Sequence, residues 1–310
     1  MAKKRKPTVT QSIMNDVRII CQREFENNNT AKQYYRDFKR FLTFTRSQNP
    51  NIKSLDELVG RKDLIQAYAD NLQNYSAFTQ HTYLSAPCRI LGVKLNEISK
   101  KKRRIADMVR GRGPCKDSTD SDLQNIKWQY VVAFEKRIGL RRTEIAKITG
   151  KSLIKSCGNY YISVKSKGGL IQKQLVSPED VEFIKPYFDR VGKDERVFGK
   201  EWFNNNLNFH KLRAEHAYEH YQKLCEKIKQ NPDYEKVLLR EIERRWFERK
   251  KKPIPKKLIS GTYTLRGKNR ELAKKLGKPL SYSNICTMHT SLFKLAHFRN
   301  DVTINHYFLT

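Results

Sequence analysis

Between Lys100 and Asp120 the chain loses every regular spacing of apolar residues. Lys100-Lys-Lys-Arg-Arg104 and Arg110-Gly-Arg-Gly-Pro114 put like charges and turn formers where a core element would need apolar ones. A chain of 310 residues interrupted in this way is expected to condense on two cores rather than one. The division runs as a basic tail over 1–9, a helical domain over 10–99, an exposed basic linker over 100–120 and a second domain over 121–310. The tail, opening Met-Ala-Lys-Lys-Arg-Lys-Pro, reads as a solvated, disordered end.

In the first domain apolar residues recur at helical spacing. Ile13, Val17, Ile20, Cys21 and Phe25 mark one helix. Thr30-Ala-Lys-Gln33 has the form of a capping box opening a second, whose stripe is Tyr34, Phe38, Phe41 and Leu42. Leu64, Ile65, Tyr68 and Leu72 mark a third, and Leu84, Cys88 and Leu91 a fourth. Lys32, Arg36, Lys39 and Arg40 fall off the second stripe, as a solvated or a phosphate-facing side.

The second domain mixes periods. A helix is predicted over Leu123 to Arg137, closed by Gly139 as C-cap, and another from Arg142. Tyr160 to Lys165 and Leu170 to Val176 are β-rich runs joined by Ser166-Lys-Gly-Gly169, a hairpin signal. Pro178 opens a helix to about Val191, and further helices are predicted over 207–230, 233–250 and 284–298, with a Pro- and Lys-rich break at 251–257. The expected fold class is mainly α with a small antiparallel sheet.

Charge narrows the partner. Lys and Arg number 63 against 32 Asp and Glu, a net charge of +31. Such an excess suits a polyanion, because each neutralised phosphate releases counterions. Hydrophobic residues at 38% argue against a disordered basic protein. No apolar run reaches membrane-spanning length and no signal peptide is visible, so no membrane partner and a cytoplasmic location are expected, and the charge makes nucleic acid the expected polyanion. Six cysteines stand singly with no Cys-x-x-Cys, which fits reduced packing residues rather than a zinc ribbon or a disulfide framework.

Several residues then stand out in order: Gly139-Leu140-Arg141-Arg-Thr-Glu144, Lys167 in the hairpin turn, His210-Lys-Leu-Arg213, Ala296-His297, and Tyr307 almost at the end. Arginines, histidines, a lysine and a tyrosine can together attack a phosphodiester. The set resembles the motifs of the tyrosine recombinases, the phage-integrase family: the first arginine, the strand-turn lysine, the His-x-x-Arg box, the later histidine and the nucleophile, in the same order. The resemblance covers the whole chain in outline. It implies a helical N-terminal DNA-binding domain followed by a recombinase catalytic domain, acting on double-stranded DNA at specific sites as a homotetramer, through a Holliday junction.

It also implies roles. Arg141 and Arg213 would hold the nonbridging oxygens as planar, always-protonated forks. Tyr307 would attack phosphorus and become joined to a 3′ end. His210 is the candidate base, His297 a further hydrogen-bond donor to the phosphate, and Lys167 the general acid for the leaving 5′ oxygen. No metal and no cofactor are implied, fixed cations standing where other phosphoryl-transfer sites use Mg²⁺.

The sequence departs from the family's pattern in places. Ala214 stands where a second histidine often follows the arginine, and Ala296 replaces a glycine. His210 and His297 are far apart, so about 222–283 reads as an insertion: a DNA-contacting arm, a protein-contact element or a lengthened helical pair. The position of Tyr307 leaves no residues for the usual coupling helix, and the insertion is the candidate substitute. Arg142 is the alternative ligand if the register is off by one. His216-Ala-Tyr-Glu219-His220 matches an inverted zinc-protease pattern, but it has no evident third ligand and leaves the charge unexplained. The alternatives for function are a catalytically inactive DNA-binding accessory protein and a type IB topoisomerase-like enzyme.

Overall fold

The computed structural model describes residues 7–25, 28–104, 126–166, 169, 171–203, 207–296 and 298–309. Lys167 and His297, most of the basic tail, and the linker beyond residue 104 lie outside the described residues. The chain divides into two compact units, residues 1–108 and 109–310. Both are mainly helical, and the one appreciable sheet is small and antiparallel.

The first unit holds α1 (Val9–Glu24), α2 (Asn28–Gln48), α3 (Lys62–Asn71) and α4 (Ala77–Ile90). The four apolar stripes meet in one core around Ile13, Val17, Phe38, Phe41, Leu42, Ile65, Leu84 and Leu91. A capping box exists, but at α1. Thr8 accepts from the Gln11 amide nitrogen at 3.3 Å while Gln11 accepts from the Thr8 N–H at 2.8 Å. The expected box at Thr30 and Gln33 does not form, because α2 already begins at Asn28. Gln33 instead donates down the helix to Asp37 at 2.8 Å, since that buried carboxylate needs donors and takes a second from Arg40 at 2.7 Å.

The second unit opens with α5 (Ile126–Ile138), which Gly139 closes in the left-handed conformation at φ 67°. A short helix, α6 (Arg142–Ile145), leads into a three-stranded antiparallel sheet of β1 (Leu153–Ser156), β2 (Asn159–Lys165) and β3 (Ile171–Leu175). The β2–β3 pair is the expected hairpin, with Lys165 opposite Ile171. Its partner β1 has no counterpart in the sequence reading. β1 turns into β2 through Cys157 (φ 48°) and Gly158 (φ 76°), a two-residue turn whose first position carries no turn-forming residue type. Pro178–Asp180 forms a single 3-10 turn before α7 (Val181–Asp189).

The remaining elements build the core that carries Tyr307. They are α8 (Phe209–Gln230), α9 (Tyr234–Lys250), β4 (Thr262–Thr264), α10 (Gly267–Lys275), β5 (Ser281–Ser283), α11 (Asn284–Phe293) and α12 (Asn300–Thr303). The stretch 222–283 is therefore the end of α8, a second long helix, and a two-stranded β4–β5 ribbon with α10 between its strands. Leu238, Ile242, Trp246, Ala273 and Tyr282 from that stretch are buried in one cluster with Tyr307 and Phe308. The last helix of the sequence reading, 284–298, stops early. The Lys294 N–H closes α11 on Thr290 at 2.9 Å, and Ala296 then turns left-handed at φ 49°. A π-helical turn, Ile304–Phe308, ends the described chain.

Candidate functional site

The C-terminal turn of α5 sets the first arginine. Gly139 reverses the chain, and Arg141 becomes the extended residue preceding α6 (φ −71°, ψ 148°). The Arg141 N–H donates to Glu144 Oε2 at 2.9 Å, and its guanidinium donates to Oε1 of the same carboxylate. Glu144 is buried and also pairs with Arg213 at 3.6 Å. Burial alone would push its carboxyl up. Arg213, Arg141 and the backbone N–H outweigh that and hold it below the usual carboxylate range. Arg142 points elsewhere, its Nη2 lying 3.4 Å from the Phe203 carbonyl.

α8 carries the His-x-x-Arg pair. Asn208 caps this helix by accepting from the Lys211 N–H, which places His210 in the first turn and Arg213 one turn on. Arg213 is 1% exposed. One amino group donates to the Gly139 carbonyl and the other to the Leu295 carbonyl at 2.7 Å. This side chain therefore ties the turn before Arg141 to the loop before residue 297.

His210 and Tyr307 meet with ring centroids 5.0 Å apart, and the Arg213 guanidinium carbon lies 5.7 Å from the Tyr307 ring centre. His210 Nε2 is 3.1 Å from the His306 carbonyl. A carbonyl can only accept, so Nε2 is the donor in this contact. Tyr307 sits in the π-turn and is 6% exposed, and the next residue, Phe308, packs against the rings of Tyr218, Tyr221 and Tyr282. Arg141, His210, Arg213 and Tyr307 are thus brought into one neighbourhood. Lys167 and His297 lie outside the described residues. Ser166 donates to Glu144 at 2.9 Å, and Leu295 accepts from Arg213.

Other buried polar groups around this neighbourhood had no signal in the sequence. Glu135 on α5 accepts the Leu140 N–H at 3.0 Å; burial drives its carboxyl well above the usual range, with Arg213 opposing. Gln174 on β3 donates to the Ile138 carbonyl. Lys294, fully buried, donates to the Leu175 carbonyl at 3.1 Å and Ser177 Oγ at 2.8 Å. Its burial pushes the ammonium down to about 8 against the pull of Asp180 and Glu179. Polar residues inside otherwise apolar faces look, in sequence, like surface positions. Only their partners reveal them.

The His-x-x-Glu-His pattern also resolves. His216 Nδ1 lies 3.0 Å from the Lys136 carbonyl, while His220 pairs with His289 at 3.3 Å, and His289 with Glu241 at 3.0 Å. Among the described residues no group of three or more His, Cys, Asp or Glu is arranged to hold a metal. No helix among them is long and apolar enough to cross a membrane.

No protein-family model matches the chain, and no curated protein matches it. Among solved structures it is similar to the XerH site-specific recombinase bound to a palindromic difH substrate in a post-cleavage complex. That match has 14% identity over 69% of this chain and 85% of that one, at a TM-score of 0.43. It is also similar to XerH bound to difH substrate in a pre-cleavage complex, with 15% identity over 71% of this chain and 75% of that one, at a TM-score of 0.42.

Proposed function

We propose that this chain is a site-specific DNA recombinase that cleaves and rejoins strands through a 3′-phosphotyrosine. The observation that carries this reading is the meeting of Arg141, His210, Arg213 and Tyr307, drawn from three separate segments, with both arginines on one buried carboxylate and His210 and Arg213 beside the Tyr307 ring. The order and types of these residues are those of the tyrosine recombinases, and the net charge of +31 suits a duplex DNA partner.

In this reading Arg141, whose side chain is 30% exposed, meets the scissile phosphate first. Arg213 lies behind it, adding positive potential from a site that water does not screen. The Tyr307 oxygen forms a bond to phosphorus as the bond to the 5′ oxygen breaks. The phenolic proton passes to the imidazole of His210, and the leaving oxygen takes a proton from Lys167. The ring of Tyr307 is packed against His210 and Arg213, so attack requires the Ile304–Phe308 turn to open. A π-turn is a rare departure from α-helical geometry that occurs frequently at functional sites, and this one is a suitable place for that movement. His297 completes the proposed set, and a homotetramer on paired sites is the proposed working assembly.

One observation favours a second reading. Both amino groups of Arg213 are engaged by carbonyls and Tyr307 is buried, as in a DNA-binding accessory protein that does not cleave. A nicked suicide substrate separates the two. A denaturation-resistant protein–DNA adduct that disappears in Tyr307→Phe supports cleavage, and its absence from the parent protein over a panel of candidate sites supports the accessory reading.

A further inference from the structure

The turn that delivers Arg141 is held by side chains along its whole length. Starting at the end of α5, the Lys136 carbonyl accepts from His216 Nδ1 at 3.0 Å, and the Ile138 carbonyl accepts from Gln174. The Gly139 carbonyl accepts from Arg213. The Leu140 N–H donates to Glu135 at 3.0 Å and the Arg141 N–H to Glu144 at 2.9 Å. The last carbonyls of a helix have no partner within it and usually turn to water. Here they are claimed by residues from β3 and α8.

His216 has a second contact with the same turn. A Cβ on Gly139 would stand 2.8 Å from His216 Cδ2 and 3.2 Å from Cγ, so the imidazole edge lies directly against the glycine backbone. His216 follows Arg213 by three residues on α8, one helical turn along the same face. The two side chains therefore grip Gly139 from neighbouring rungs, one by its carbonyl and the other by its α-carbon. The ring must be neutral to donate from Nδ1 without a third buried cation beside Arg213 and Lys294, and burial holds it neutral. Its Nε2 has no hydrogen-bond partner among the described residues, as expected of a ring placed for one bond and one packing contact.

We infer that His216 and Gln174 are positioning residues for Arg141: they lock the Lys136–Arg141 turn so that the guanidinium presents one geometry to the phosphate. The inference rests on the proposed role of Arg141 in strand cleavage. It gives the His-x-x-Glu-His segment a use other than metal binding. It also connects the β3 strand, through Gln174, to the arginine that the cleavage step needs. Because a displacement of about 1 Å at a reacting group costs on the order of 100-fold in rate, a loosened turn is expected to act on the chemical step more than on affinity.

The test uses the full-length chain with His216→Ala, His216→Asn, His216→Phe and Gln174→Leu. Asn places an amide donor near the position of Nδ1, whereas Phe fills the space without a donor. Two readouts are taken: the single-turnover rate of adduct formation on the suicide substrate at saturating protein, and backbone hydrogen exchange of peptides spanning 136–144. His216→Ala and Gln174→Leu are expected to slow adduct formation about 10- to 100-fold, with DNA affinity within about two-fold of the parent. Exchange is expected to rise in 136–144 without a global rise, and Asn is expected to restore both readouts further than Phe. Parent-like rates in His216→Ala and Gln174→Leu overturn the inference. So does a loss that tracks the folded fraction, with exchange raised across the whole second unit. If Tyr307→Phe still forms adducts, the cleavage reading itself falls, while the exchange data still decide whether these residues hold the turn.

Discussion

Arg213 shows how one residue can serve a site and a fold at once. Among the described residues it is the largest fully buried side chain, and with Arg141 it neutralises Glu144 while filling two carbonyls that lie far apart in sequence. Removing it takes one of two cations from the buried Glu144 and leaves two buried acceptors unpaired, and breaking such a buried pair typically costs about 3–5 kcal/mol. Arg141 shares the same carboxylate from a half-exposed position, so its loss leaves Glu144 still paired. The two arginines are therefore expected to separate under alanine substitution. Arg141→Ala should abolish adduct formation while shifting the denaturant midpoint by no more than about 1 kcal/mol equivalent. Arg213→Ala should abolish it and also lower stability by about 3–5 kcal/mol. Equal stabilities for the two variants would mean that the Arg213 hydrogen bonds to the Gly139 and Leu295 carbonyls are not what hold those loops together.

At the scale of elements, the difference between what sequence reveals and what it hides follows from local chemistry. The helices of the first unit were legible because Ile13, Val17 and Cys21, or Phe38, Phe41 and Leu42, repeat at the helical period and are buried on one side. The β2–β3 hairpin was legible through its glycines, and the α5 end through Gly139. β1 was not, because Leu153–Ser156 is short and the turn after it begins with Cys157, which no turn rule favours. The motif residues were legible as types in an order; Glu135, Gln174 and Lys294 were not, since their value lies in partners distant in sequence. The hidden hairpin makes a prediction. Cys157 holds φ 48° in front of Gly158 at φ 76°, and Asn adopts that left-handed conformation more readily than Cys. Because the position is exposed and its side chain belongs to no core cluster, Cys157→Asn should stabilise the protein by up to about 1 kcal/mol, read as a higher thermal midpoint. An unchanged or lower midpoint would show that the β1–β2 turn is not strained at this residue.

For the whole molecule, the positive charge falls into two physically different populations. Most of the 63 Lys and Arg are spread over the surface, as with Lys32, Arg36 and Lys39 on α2. The cations of the site are few and shielded: Arg213 is buried and Arg141 is fixed on Glu144. Salt acts on these populations unequally. Exposed charges more than a Debye length apart, about 10 Å at 0.1 M, are screened, whereas buried pairs are screened far less. Binding to duplex DNA is therefore expected to weaken steeply with salt, by about 10³- to 10⁵-fold between 50 and 200 mM if some 6–10 phosphates are neutralised. The rate of adduct formation from the saturated complex should change little over the same range. Titrating a labelled duplex at several salt concentrations gives the first quantity, and single-turnover cleavage at saturating protein gives the second. A flat binding curve would remove the polyanion reading of the surface. A cleavage rate that falls as steeply as affinity would show that the arginines at the site are open to solvent, contrary to the enclosure of Arg213 between the Gly139 and Leu295 carbonyls.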